Sequence, residues 1–181
     1  MISQLKFIGM LELHVICNRL NIVEKDRIVM ILRKSTEDDI AELVSISKAA
    51  FDTDVTVGGK ANEGPPEYDS FDWHKQMLKE GHLFTYCEEN GKMIGGAILF
   101  EGEDCLYIGR IFIHPRYFRC GYGIKLMDAI EGTFVGAKSI KLDTPVWNTR
   151  TNRFYKKCGY KEIAKDEESV YYEKNKGDSK E

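Results

Sequence analysis

Tyr107-Ile-Gly-Arg-Ile-Phe-Ile-His-Pro-Arg-Tyr-Phe-Arg-Cys-Gly-Tyr-Gly-Ile-Lys-Leu-Met127 runs from an apolar strand through a basic, glycine-containing turn into an amphipathic helix. Ile111, Phe112 and Ile113 read as a buried strand closed by His114-Pro115, and Ile124, Met127, Ile130 and Phe134 recur at helical spacing beyond the turn. Arg116, Arg119, Gly121 and Gly123 gather where that helix begins. Free backbone N–H groups and the positive end of a helix dipole then face outward beside side-chain cations, which makes the turn a site for phosphate. A dinucleotide-binding fold is the rival reading, with Asp143 at a plausible distance for a ribose. Leu126 takes its third glycine position, however, and the preceding segments form a run of strands instead of opening a βαβ unit.

Downstream, Ile140-Lys-Leu-Asp-Thr-Pro-Val-Trp-Asn-Thr-Arg-Thr-Asn-Arg-Phe-Tyr-Lys-Lys-Cys-Gly-Tyr160 carries a second constellation. Read together, the two stretches resemble the GNAT superfamily, the Gcn5-related N-acetyltransferases. That family's acetyl-CoA motif is Pro, two residues, Gln or Arg, two residues, Gly, one residue, then Gly or Ala; here it reads Pro115, Phe118, Gly121 and Gly123. The family's later pattern matches Asn148, Thr151, Phe154-Tyr155 and Gly159-Tyr160. The resemblance runs from Met30 to Lys174, with one departure: Phe118 stands where Gln or Arg is usual.

The resemblance implies an α/β (α+β) GNAT fold: a central mixed, mostly antiparallel twisted sheet of about six to seven strands, flanked by helices on both faces. It implies an acetyl-CoA-dependent N-acetyltransferase in which a primary amine of a small molecule, polyamine or protein attacks the thioester directly in a ternary complex. The strand edge at Ile111, Phe112 and Ile113 would pair with the pantetheine amides of acetyl-CoA, the co-substrate. Phe118, Arg119, Cys120, Gly121, Tyr122, Gly123 and Ile124 would wrap the pyrophosphate. A backbone N–H near Ile113 would polarise the thioester carbonyl, and Tyr155 would protonate the departing thiolate. Asn148 would cap its helix or contact the cofactor. Periodicity alone leaves Tyr155 open as a core aromatic, since Thr151, Phe154, Tyr155 and Cys158 share a helical face. A CoA-sensing or interaction module that has kept the fold and lost turnover is the alternative, which Phe118 favours slightly.

The general base is open among His74, Glu101, Asp143 and water. Cys120, beside Arg119 at a helix N-terminus, suggests an acyl-cysteine route, but its side chain is expected to point to solvent. The segment from Val57 to Trp73 is long for a compact domain and sits where an acceptor site is often shaped. Its acids Glu63, Glu67, Asp69 and Asp72, with Asp52 and Asp54, would suit a cationic amine.

The wider chain sets bounds on these readings. Its 181 residues, 43% of them hydrophobic, can bury one core, and a net charge of −3 argues against a general nucleic-acid binder. Five cysteines (Cys17, Cys87, Cys105, Cys120, Cys158) without C-x-x-C spacing suit reduced thiols in a cytoplasmic protein. The four histidines show no metal-ligand spacing, and Lys6, Glu12 and Arg19 interrupt the apolar N-terminus before it could span a membrane. Residues 1–29 are expected to be an extension or to precede a true start at Met30, with a single catalytic domain over 30–174 and a disordered tail over 175–181. A homodimer through a sheet edge or helix fits proteins of this kind.

The expected order is a strand at 30–34, a helix from Ile40 to Phe51, a loop to Tyr68 and a short helix over 70–80. A three-stranded meander follows at 83–87, 93–100 and 105–113, then the helix from Gly123, a strand at 139–145, a helix at 149–157 and a last strand at 169–173.

Overall fold

The computed structural model describes residues 29–61 and 64–177. Seven strands form one sheet in the order β1-β2-β3-β4-β5-β7-β6. They are β1 (Met30–Lys34), β2 (Leu83–Glu88), β3 (Met93–Glu101), β4 (Cys105–Ile113), β5 (Ser139–Pro145), β6 (Lys161–Lys165) and β7 (Ser169–Asn175). Every neighbouring pair is antiparallel except β4 and β5, which run parallel. A parallel pair needs a crossover, and the helix α3 (Tyr122–Thr133) supplies it.

The other helices are α1 (Ile40–Phe51), α2 (Phe71–Lys79) and α4 (Thr149–Lys157). α1 buries Ile40, Leu43, Ile46, Ser47 and Ala50, which recur at three- and four-residue spacing and so form one face. Leu43, Ile46, Ala50 and Met77 pack with Leu83, Met93, Ile98 and Phe112 on one side of the sheet. Leu126, Met127, Ile130 and Tyr155 pack with Ile108, Ile140, Leu142 and Tyr172 on the other. Helices therefore cover both faces, as the resemblance implied.

Three stretches differ from the sequence expectation. The segment after α1 is wound into a 3₁₀ helix, Asp52–Val57, before the loop begins. β6 was not anticipated: all five of its residues are exposed and three of them are charged, so it lacks the apolar alternation that marks a strand. Its place at the sheet edge, with an extra residue at Ile163, explains that composition. β7 runs to Asn175, and the Lys176 amide donates to the Lys138 carbonyl at 3.0 Å, so regular structure reaches into the stretch read as a tail. Cys17 and nearly all of the N-terminal segment lie outside the described residues. Among the described residues no helix is long and apolar enough to cross a membrane, and no group of His, Cys, Asp or Glu could hold a metal ion.

The entry to α1 is fixed by a charged node. Arg33 on β1 donates to both carboxylate oxygens of Asp39, at 2.6 and 2.9 Å, and the Thr36 amide and Thr85 hydroxyl donate to Oδ2 at 2.7 and 3.1 Å. The Arg33 guanidinium, more than the Thr36 amide, holds the Asp39 carboxyl down to about 2 from an ordinary 3.8. Folding thus favours the carboxylate, a contribution complete above the ordinary value and lost as pH falls through about 2. Urea unfolding should accordingly show wild-type stability declining between about pH 4 and pH 2, with a shallower decline in Asp39→Asn, which is already less stable at pH 7. Equal slopes would remove Asp39 from the acid sensitivity of the fold.

Candidate active site

β4 and β5 pair only from Cys105↔Ser139 to Ile108↔Leu142. Beyond that point β4 continues against β3, and β5 continues against β7 through Asp143, Thr144 and Pro145. Gly109 is an extra residue in β4, because Ile98 pairs with Arg110 while Leu99 pairs with Ile108. Such a bulge bends its strand, and here it coincides with the parting of the two parallel strands. The sheet therefore opens between Gly109–Ile113 and Asp143–Pro145.

The direction of the backbone in this gap follows from alternation. The His114 amide donates to the Ile94 carbonyl at 2.9 Å, so His114 faces β3, and Phe112 two residues back does the same. A Cβ added at Gly95 would lie 2.1 Å from the Phe112 carbonyl oxygen, which agrees. Ile111 and Ile113 consequently turn their N–H and C=O groups toward the gap, where no β5 residue pairs with them.

Past β4 the chain makes a 3₁₀ turn, Pro115–Tyr117, and enters α3 with Gly121 as its N-cap. Arg119 has φ 62° and Gly121 φ 82°, and nothing lies within 4 Å of where a Gly121 Cβ would stand. The Lys125 amide is the first to reach back into the helix, donating to the Gly121 carbonyl at 3.2 Å. The amides of Tyr122, Gly123 and Ile124 precede the first intrahelical bond and point outward at the positive end of α3. This arrangement suits an anion such as a pyrophosphate.

Phe118 explains its departure from the motif. Its ring is part-buried against the core clusters of both sheet faces, and the Arg150 guanidinium lies 5.4 Å from the ring centroid. An apolar side chain here packs against both clusters, and Arg119 and Arg116 are the cations of the neighbouring turn. Cys120 is exposed with its thiol 3.5 Å from the Phe118 carbonyl. No base stands with it, so the structure lends nothing to an acyl-cysteine route.

α4 borders the gap from the β5 side. Asn148 is its N-cap: its side chain accepts from the Thr151 amide at 3.2 Å and donates to Asp54 at 3.2 Å, and the residue is buried. Capping and a tie to the 52–57 helix thus occupy Asn148. Tyr155, one α-helical turn past Thr151, is buried against the rings of Phe154, Tyr160 and Tyr172. Burial raises its phenol well above the ordinary value, with smaller contributions from Cys158, Asp143 and Tyr107. An ordinary phenol lies within about two pKa units of a thiol; burial raises Tyr155 further and keeps it protonated.

The candidate bases are sorted by position. Glu101 closes β3 opposite Leu106 and forms an ion pair with Lys34 at 3.7 Å, at the paired end of β4 away from the gap. His74 is fully buried in α2, its Nδ1 2.8 Å from the Ser70 carbonyl, and burial lowers its pKa. Asp143 stands at the first unpaired step of the gap, on the face opposite Leu142, where Tyr107 donates to Oδ1 and Ser169 to Oδ2 at 3.5 Å. Asp143 is the one of the three that borders the gap.

The acidic loop is not a free cation trap. Asp52 accepts from Tyr68 at 2.8 Å and pairs with Lys48, which also reaches Asp69 at 3.6 Å. Asp54 takes Arg150 and Asn148. Glu63 lies outside the described residues. What the loop presents instead is a cation it does not neutralise. Arg110, just after the bulge, stacks on Trp73 at 4.1 Å and donates to the Pro66 carbonyl, while its Nη1 is buried without a partner. No local sequence pattern marks Arg110, because its stacking partner lies 37 positions away.

A search of curated protein sequences finds no significant match. Solved structures resemble the chain closely in fold at low identity. The PaiA N-acetyltransferase of Thermoplasma acidophilum, in complex with coenzyme A, is 17% identical over 81% of this chain and 99% of that one, with a TM-score of 0.68. A GNAT-family acetyltransferase of Streptococcus agalactiae is 16% identical over 81% and 95%, with a TM-score of 0.72. A spermidine N-acetyltransferase SpeG chimera from Vibrio cholerae and hSSAT is 16% identical over 82% and 96%, with a TM-score of 0.61. The profile of the acetyltransferase (GNAT) family matches residues 42–160, spanning α1 through the end of α4 and so both sides of the gap. This chain belongs to the acetyltransferase (GNAT) family.

Proposed function

We propose that the protein transfers an acetyl group from acetyl-CoA to a primary amine, with both bound at the opening between β4 and β5. The observation that carries this reading is the unpaired edge of Ile111 and Ile113 leading directly to the free amides of α3. A ligand with a run of amides ending in a pyrophosphate matches both in order, and the coenzyme A complex of the Thermoplasma acidophilum structure supports the choice. Acetyl-CoA supplies the activated acyl thioester.

The residues of the chain then divide the work. Ile111 and Ile113 offer backbone groups to the amides of the donor, and the Ile113 N–H stands ready for a carbonyl oxygen on which charge develops. Gly121, Tyr122, Gly123 and Ile124 hold the phosphates, with Arg119 as a side-chain cation. Asp143 accepts the proton of the acceptor ammonium, directly or through water, so that the nitrogen attacks with a free lone pair. The bond from nitrogen to the acyl carbon forms as the bond from carbon to sulfur breaks, and the surplus proton of the attacking nitrogen passes to water, from which the Tyr155 phenol is restored after it has protonated the sulfur. Tyr155 donates a hydrogen bond, and finally its proton, to the departing sulfur; its raised pKa delays full transfer until the sulfur has taken up negative charge. Asn148 contributes by holding the N-terminus of α4, and hence Tyr155, in place.

Calorimetric titration with acetyl-CoA, with NAD as control, tests the donor site. Gly121→Glu should abolish acetyl-CoA binding while lowering stability by only about 1–2 kcal/mol, the cost of a side chain at positive φ. Retained binding would separate the turn from the phosphate. Tyr155→Phe should lower kcat by about 10²–10⁴-fold with acetyl-CoA affinity unchanged, whereas a purely packing tyrosine would tolerate the change. Because the acid form of Tyr155 is lost only above its ordinary pKa, wild-type kcat should show no falling limb below about pH 10. A CoA-sensing module without turnover would bind acetyl-CoA and release no thiol with any amine.

A further inference from the structure

Arg110 stands on the same face as Asp143, on the other lip of the gap. Arg110 pairs across β3 with Ile98, which packs under α1 and α2, and its guanidinium touches Trp73 of α2. Asp143 alternates with Leu142, whose side chain enters the opposite core, and it is reached by Tyr107. Beyond the last pair, Ile108↔Leu142, the diverging strands therefore offer a cation from β4 and a carboxylate from β5 on one side of the sheet.

The cation is held but not neutralised. Trp73 fixes the plane of the guanidinium and the Pro66 carbonyl takes one N–H. Among the described residues no carboxylate lies within ion-pair distance of it. Glu67 acts on it only through space, and burial lowers its pKa to about 10. Three buried side-chain polar atoms in the described residues lack a partner, and two of them, Arg110 Nη1 and His74 Nε2, belong to residues packed on Trp73. A tether for the loop would need one neutral donor; a desolvated, unpaired guanidinium costs more than that task requires unless an anion arrives. Planar, bidentate recognition of a carboxylate is what a preorganised guanidinium does best. Of the acids that would have drawn a polyamine, Asp52, Asp54 and Asp69 are already bound by Lys48 and Arg150.

We infer that the acceptor is an α-amino acid, its carboxylate received by Arg110 beside Trp73 and its ammonium turned toward Asp143. The inference rests on the acetyltransferase reading of the same site and adds the chemical class of the acceptor. Asp143 without Arg110 would accept any amine; the two together favour a molecule that carries both an ammonium and a carboxylate.

Thiol release from saturating acetyl-CoA is measured with matched acceptors: phenylalanine, phenethylamine and phenylalaninamide, and lysine, cadaverine and lysinamide. Rates are expressed per unprotonated amine. In the wild type, kcat/KM for the acids should exceed that for the decarboxylated amines and the amides by about 10–100-fold. In Arg110→Gln that ratio should fall toward one, and in Arg110→Lys it should lie between. Amines or amides turned over as well as the acids would overturn the carboxylate site and leave the acetyltransferase standing. Thiol release with none of the six would overturn the α-amino-acid acceptor, whereas the acetyltransferase reading falls only if no amine of a wider panel releases thiol. The wild-type comparison needs no variant, so a folding defect in Arg110→Gln would leave the test decisive.

Discussion

The parting of one parallel strand pair governs this molecule. β4 and β5 share four matched positions and then separate, each keeping its other neighbour. Backbone groups stranded inside a protein demand partners, and those of Ile111 and Ile113 have none from β5. An extended amide chain would satisfy them, the role proposed for the donor. Because each of the two strands feeds a helix on the same face, the gap also acquires its ends: α3 begins beyond β4 with its free amides, and α4 flanks β5 with Tyr155. A Cβ at Gly123 would come within 3.1 Å of the Phe154 ring, so the two helices meet at the mouth.

The electrostatics divide along the two faces of the sheet. On the α3 and α4 side, dipole and basic residues favour negative charge, and a buried phenol stays protonated. On the α1 and α2 side, Lys48 and Arg150 hold Asp52, Asp69 and Asp54, while Arg110 and Asp143 stand on the two lips of the gap, Asp143 accepting from the Tyr107 and Ser169 hydroxyls. The proposed donor and acceptor would thus approach from opposite sides without competing for the same groups. Phe118 sits between the faces and closes the sheet end with apolar surface.

The core elements were readable where one face of a helix or strand is apolar. Leu43 and Ile46 on α1, and Leu126, Met127 and Ile130 on α3, repeat with the helical period because each must cover the sheet. β6 escaped because an exposed edge strand needs no such period. The 52–57 helix escaped because its bonds to the rest of the chain run through Asp54 to Arg150 and Asn148, nearly a hundred residues away. The same distance hid the fate of Asp54, which looks free in sequence and is held by Arg150 in the fold.

By itself the sequence determined the glycine-containing turn and the helix it opens, since Gly121 and the amides of a helix start are local properties of adjacent residues. It also determined Asn148 and Tyr155 as a motif on one helix. Only the tertiary structure decided that Ile111 and Ile113 face a gap, that Glu101 lies at the wrong end of the sheet and that Asp143 borders the opening. It alone set Arg110 on Trp73 with no carboxylate beside it. These depend on strand register and on contacts between distant segments, which the packing of the whole core fixes and no short stretch of sequence can encode.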